Sequence, residues 1–162
     1  MTNKETNIIT TSYNQGQKLN IAGGEYRIII SGEQNNGSFA VIEMTVPPGA
    51  GPVPHSHPDF EETFYVLEGE VLFKSETGEF TAKKDSFVAI PKGGIVHNFK
   101  NLSDKPAKLL CTVIPAGLEA FFNEVADYMD AKKDNLVSKI KEDMARISGK
   151  YGQKLYSPDY WD

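Results

Sequence analysis

The chain contains three histidines, and their placement constrains it more than any other feature. His55 and His57 stand one residue apart in the stretch Gly49 to Gly69, GAGPVPHSHPDFEETFYVLEG, and Glu62 follows five residues later inside a strand-like run. His97 lies downstream in PKGGIVHNFKN. Imidazole and carboxylate are the usual ligands of divalent first-row transition metals. On an extended segment side chains alternate with period two, so H-x-H turns both rings to one side. These four residues are therefore read as a candidate metal site, and the rest of the chain is read around it.

The surroundings of the site read as short strands. Candidates are 25–31, 38–46, 61–67, 71–75, 79–83, 86–90, 96–101 and 105–114, separated by Asn35-Asn36-Gly37, Pro47-Pro48-Gly49, Glu68-Gly69-Glu70, Thr77-Gly78, Pro91-Lys92-Gly93-Gly94 and Ser103-Asp104. Each connection supplies Gly, Pro, Asn or Asp where the chain must reverse. Eight strands in that length predict an all-β sandwich or small barrel. At Pro115 the period changes. Leu118, Phe121, Phe122, Val125, Tyr128 and Met129 recur at helical spacing, and Leu136, Ile140, Met144 and Ile147 do so again. Asp134 or Asn135 is the expected N-cap of the second helix and Gly149 its stop. The simplest role for both apolar stripes is packing on the outside of the barrel or on a second subunit, with a lid over the pocket as the alternative. The expected organisation is an N-terminal arm over 1–17, a barrel over 18–115 and a helical appendage with an aromatic tail over 116–162.

Composition excludes some partners. Acidic residues outnumber Lys and Arg 22 to 17, giving a net charge of -5. That is the wrong sign for a phosphate backbone. No apolar run is long enough to span a membrane, and MTNKETNIITTSYNQ lacks the basic and apolar segments of a secretory signal. A cytoplasmic protein is expected. The lone cysteine, Cys111, sits in an apolar run and reads as a buried inert thiol. Ser56, between two histidines, faces away from them.

The spacing Gly49, five residues, His55-x-His57, four residues, Glu62, six residues, Gly69 resembles the first motif of the cupin superfamily. Pro91 through His97 and Asn101 resemble the second, departing from it at Asp85, where the family usually has glycine, and by one extra residue between Pro91 and His97. The ending, GLEAFFNEVADY and ARISGKYG, resembles single-domain cupins of the quercetin-2,3-dioxygenase-like group. The resemblance implies a jelly-roll barrel, or double-stranded β-helix, with two C-terminal helices. It implies a metal held by His55, His57, Glu62 and His97. Period-two reasoning alone leaves Glu61 and Glu62 both open; the spacing to Gly69 favours Glu62. Iron, manganese, nickel, cobalt or zinc would suit such a donor set. The resemblance also implies that Glu62 is both ligand and general base. Phe64, Val66, Ile95, Phe99 and Met44 are expected to line the substrate pocket. The expected activity is oxidation of a small enol, catechol or flavonol by a dioxygenase. The rival readings are an isomerase, epimerase or decarboxylase on the same metal, and a non-enzymatic small-molecule binder. A homodimer is expected from the two helical stripes.

Overall fold

A computed structural model of the chain describes residues 7–131 and 136–162. The first six residues of the expected arm, with Lys132, Lys133 and both candidate N-caps Asp134 and Asn135, lie outside the described residues. Two antiparallel sheets face each other. The first has the strand order β1 (Gln17–Ile21), β2 (Gly24–Ile30), β3 (Ala40–Val46), β10 (Ala107–Ile114), β5 (Glu61–Glu68), β8 (Phe87–Ile90). The second runs β11 (Lys154–Leu155), β4 (His55–Ser56), β9 (His97–Lys100), β6 (Glu70–Ser75), β7 (Gly78–Lys83). The expected all-β barrel is present, and each predicted strand has its counterpart. The sequence reading missed β1, β4 and β11, two of which are only two residues long.

Alternation decides which side chains enter the core. In β3, Ala40, Ile42, Met44 and Val46 are buried while Val41, Glu43 and Thr45 lie between them half-buried. In β10, Ala107, Leu109, Cys111 and Val113 do the same. The two strands pair in register, Cys111 opposite Ile42 and Leu109 opposite Met44, so the inward faces coincide. Phe64 from the first sheet meets Phe73 and Phe99 from the second, with ring centroids 5.3 to 5.5 Å apart. These tilted and edge-on contacts knit the two layers together.

The turns explain one motif departure and one motif glycine. Gly69 joins β5 to β6 with φ 73°, and a side chain there would meet the backbone of Ala107 and Pro106 at 3.0 Å. Only glycine suits such a turn. Asp85 adopts φ 70°, the left-handed conformation a glycine would take. Aspartate tolerates it, and Tyr65 Oη donates to Asp85 Oδ1 at 3.0 Å.

α1 (Leu118–Ala131) and α2 (Val137–Lys150) follow the barrel. Glu119 in the first turn of α1 accepts from the backbone N–H groups of Gly32 and Gly117 at 2.8 and 2.7 Å. α2 does not stop at Gly149, as the sequence suggested. It runs on to Lys150, and Gly152 takes the left-handed turn with φ 75°. Gly152 N–H donates to Gly149 O and Gln153 N–H to Ser148 O, the paired bonds of a Schellman ending. The apolar stripes do not lie on the barrel's outer surface. They turn over its mouth and line a cavity there, with Tyr26 and Phe122 in edge contact at 5.1 Å. The tail docks on the second sheet. Tyr156 N–H donates to Pro54 O, Trp161 Nε1 to Asn98 Oδ1, and Tyr160 Oη to Glu76 Oε1. No helix among the described residues is long and apolar enough to cross a membrane.

Candidate metal centre

Glu62 projects from β5 in the first sheet, and the histidines face it from the second. His55 on β4 pairs with His97 on β9, and His57 follows just past the end of β4. Pro58 ends the extended run there. One donor atom from each of His55, His57, Glu62 and His97 lies within 4.8 Å of the others, and all four residues are buried. Glu61, the alternative carboxylate, lies on the opposite face of β5 and is only half-buried. Ser56 does face away, its hydroxyl 3.3 Å from Tyr156 Oη.

The backbone fixes the histidine tautomers. Nδ1 of His55 lies 3.0 Å from Val53 O, that of His57 3.1 Å from Phe60 O, and that of His97 3.0 Å from Ile95 O. A carbonyl oxygen only accepts, so each Nδ1 carries its proton and each Nε2 presents a lone pair inward. The ring of Phe60 stacks on His57 at 4.1 Å. Burial, then the neighbouring His97, pushes the His55 imidazole down to about 4. It is therefore neutral at physiological pH, the form that ligates.

Two observations test whether a cation fits. His97 Nε2 is buried without a hydrogen-bond partner, its distance to Glu62 Oε2 being 3.9 Å. His57 Nε2 faces Glu62 Oε2 at 3.2 Å, and with Nδ1 protonated both atoms are acceptors. A proton or a cation must sit between them. Burial alone would raise the Glu62 carboxyl, but the bond to His57 and the surrounding imidazoles outweigh it and hold the carboxyl below its ordinary value. A set of three imidazole nitrogens and one carboxylate thus fits a divalent transition metal.

Glu62 is held from behind as well. Cys111 Sγ–H donates to Oε1 at 3.3 Å. Burial, then the Glu62 charge, raises the thiol well above its usual value, so it stays a donor. Strand alternation put Cys111 on the core face, but its link to Glu62 depends on the pairing of β10 with β5, which the sequence does not reveal.

The cage opens into a cavity of about 660 Å³, within the range of small-molecule sites. His55, Glu62 and His97 form its inner end, and Tyr26, Met44, Phe64 and Phe99 its barrel walls. α1 contributes Leu118, Phe122 and Val125, α2 contributes Ile140, Met144 and Ser148, and the tail adds Gln153 and Tyr156. Of the expected pocket residues, Met44, Phe64 and Phe99 are there. Val66 and Ile95 are not. Val66 is fully buried in the core farther along β5. Ile95 precedes β9, so strand alternation does not carry from His97 back to it, and it packs against the core instead. Tyr26 and the whole helical roof were missed as pocket residues. The helical stripes were visible, but their target was not.

The profile of the Cupin domain family matches residues 42–113. Quercetin 2,3-dioxygenase of Bacillus subtilis (strain 168) is 27% identical over 113 residues, covering 70% of this chain and 33% of that protein. The chain spans between 9% and 60% of the lengths of the curated relatives it matches. Among solved structures, KdgF from Halomonas sp. aligns with a TM-score of 0.61 at 13% identity, over 70% of this chain and 99% of that one. A predicted oxalate decarboxylase from Thermotoga maritima aligns with a TM-score of 0.56 at 23% identity, over 67% and 99% of the two chains. At those identities the two structures establish a shared fold alone.

Proposed function

From this chain's membership of the cupin superfamily, carried by residues 42–113 and by the barrel, we infer a metal-dependent oxidoreductase of the dioxygenase type. Its substrate would be a small enol, catechol or flavonol. The observation that carries this reading is the opening of a three-histidine, one-glutamate cage into a largely apolar cavity walled by the barrel and the two helices. His55, His57, Glu62 and His97 would hold the metal. A bound divalent ion would supply a Lewis-acid centre that makes an adjacent enol hydroxyl more acidic. Glu62, kept ionised and held by Cys111 on its other oxygen, is placed to accept that proton. Phe64, Phe99, Met44 and the helical roof would orient a planar ring system and keep bulk water from the reacting carbon. The similarity to a quercetin 2,3-dioxygenase supports the same substrate class.

The cavity lining favours this reading over an isomerase acting on a sugar or a decarboxylase acting on a dicarboxylate. A sugar or a dicarboxylate needs several polar or cationic partners around it, and the lining here is dominated by aliphatic and aromatic side chains. The test is oxygen uptake with flavonols and simple enediols, using protein loaded with Fe(II), Mn(II) or Ni(II). Uptake should appear with at least one metal and vanish in His55→Ala. Oxygen uptake indifferent to His55→Ala would remove the reading, and turnover under strict anaerobiosis would replace it with an isomerase or decarboxylase.

A further inference from the structure

Two polar side chains in the cavity wall are buried without a partner: Ser148 Oγ and Gln153 Nε2. Ser148 is fully buried and Gln153 is 7% exposed, and both line the cavity. Buried donors are nearly always paired in folded proteins, so two neighbouring exceptions need an explanation. The helix ending sets them side by side, because Gln153 N–H donates to Ser148 O at 3.0 Å. The next residues form β11, where Lys154 pairs with Ser56 and Leu155 with His55. That register places Gln153 beside the strand end that carries His57. Ser148 and Gln153 are therefore a buried polar corner in a largely apolar wall, outside the cage and next to the strand pair that carries His55.

We propose that Ser148 and Gln153 form a second polar anchor for the substrate, binding a neutral hydroxyl or carbonyl oxygen remote from the enol oxygen. This rests on the reading of the site given above. The amide N–H of Gln153 donates, and the hydroxyl of Ser148 can donate or accept. Together they match a phenolic hydroxyl, which accepts from Gln153 and donates to Ser148. They do not suit a carboxylate or phosphate. The lining cation is Lys141, exposed and two helical turns from Ser148, on the order of 10 Å along the axis. The anchor thus selects for a neutral polar substituent on an apolar, planar ligand, a property the metal cage alone does not confer.

The experiment is an anaerobic equilibrium titration of nickel-loaded protein, read by ligand absorbance, with 3-hydroxyflavone and with a set of flavonols carrying additional ring hydroxyls. Wild type should bind at least one hydroxylated flavonol roughly tenfold more tightly than 3-hydroxyflavone, the size of one well-made hydrogen bond. In Ser148→Ala and in Gln153→Leu that preference should fall to about twofold or less. Nickel content and the dissociation constant for 3-hydroxyflavone should stay at wild-type values. Circular dichroism identifies a variant that has lost its fold, and the other variant then decides. A preference retained by the folded variants, or no preference in wild type, overturns the inference and leaves the metal-site reading standing. Failure of wild type to bind any flavonol overturns both.

Discussion

Asn101→Ala is expected to cost far more than its position after a short strand suggests. Asn101 is fully buried. Its Nδ2 donates to Val46 O at 2.9 Å and to Lys105 O at 2.7 Å, and its Oδ1 accepts from the N–H and the hydroxyl of Ser103. Its backbone accepts from Gly49 N–H and donates to Ala50 O. The side chain therefore fastens the 46–51 loop, which lines the cavity, to the β9–β10 turn. Truncation removes the buried bond to Val46 O, at about 1–3 kcal/mol, and three half-buried bonds, to Lys105 O and from the N–H and hydroxyl of Ser103, which water partly replaces, together worth about 1 kcal/mol. The expected loss is about 3 kcal/mol, a large share of the roughly 5–15 kcal/mol typical of a domain. Urea unfolding at 25 °C should show it as a lower midpoint at unchanged slope. Ser103→Ala, which removes the exposed side of the same network, should cost less than about 1 kcal/mol. An Asn101→Ala loss no larger than that of Ser103→Ala would refute the clamp.

Filling the cavity from the roof with Met144→Trp should weaken flavonol binding by at least roughly tenfold while metal content, measured by elemental analysis, stays at the wild-type level. The contacts between α1 and α2 should loosen in acid. Asp143 accepts from Tyr128 and Lys139, and Glu124 from Lys150 and Tyr151. Those bonds, Tyr128 first for Asp143 and Lys150 first for Glu124, hold both carboxyls below their ordinary values. A depressed folded value means the stabilisation is complete above the unfolded value, about pH 4, and is lost as pH falls below it. Hydrogen exchange, corrected for intrinsic rates, should show α2 amides less protected at pH 3 than at pH 5 while β3 and β10 hold. Glu124→Gln should loosen α2 already at pH 7.

The barrel was legible because strands buried on one face leave a period-two record, clear in Ala40–Val46 and Ala107–Ile114, and because the turns use residues that must reverse the chain. β4 and β11 were not, since two-residue strands have no period to read, and their pairing is created by the tail returning to the barrel. The four cage residues were legible for a different reason. His55, His57 and Glu62 stand close together in the chain, and the resemblance to the two cupin motifs favours Glu62 over Glu61, through the spacing to Gly69, and adds His97. Ile95 is misplaced by carrying strand parity back from His97 through Val96, ahead of β9, where the chain is not a strand. Gly149 was taken for the helix stop because it is the first glycine after the stripe, but the left-handed turn falls at Gly152, where the chain turns back toward β4.

This division has a chemical consequence. The cage comes from residues 55 to 97, inside the segment that matches the cupin domain, whereas the roof and the polar corner come from residues 118 to 158, beyond residue 113 where that match ends. The cage and the helical part of the roof are separable, because α1 and α2 reach the barrel by side-chain packing, whereas only the two-residue β11 of the tail joins a ladder, beside His55 on β4. The match to the Cupin domain family therefore speaks to the metal-ligand set, and the roof supplies the part of the cavity that this match does not reach. On the reading proposed above, the choice of substrate would rest on Phe122, Val125 and Met144, which make the roof apolar, and on Ser148 and Gln153, the proposed anchor for one neutral oxygen. Replacing the cavity-facing side chains of α1 and α2 while keeping β11 and His55, His57, Glu62 and His97 should change the ligand and leave the metal.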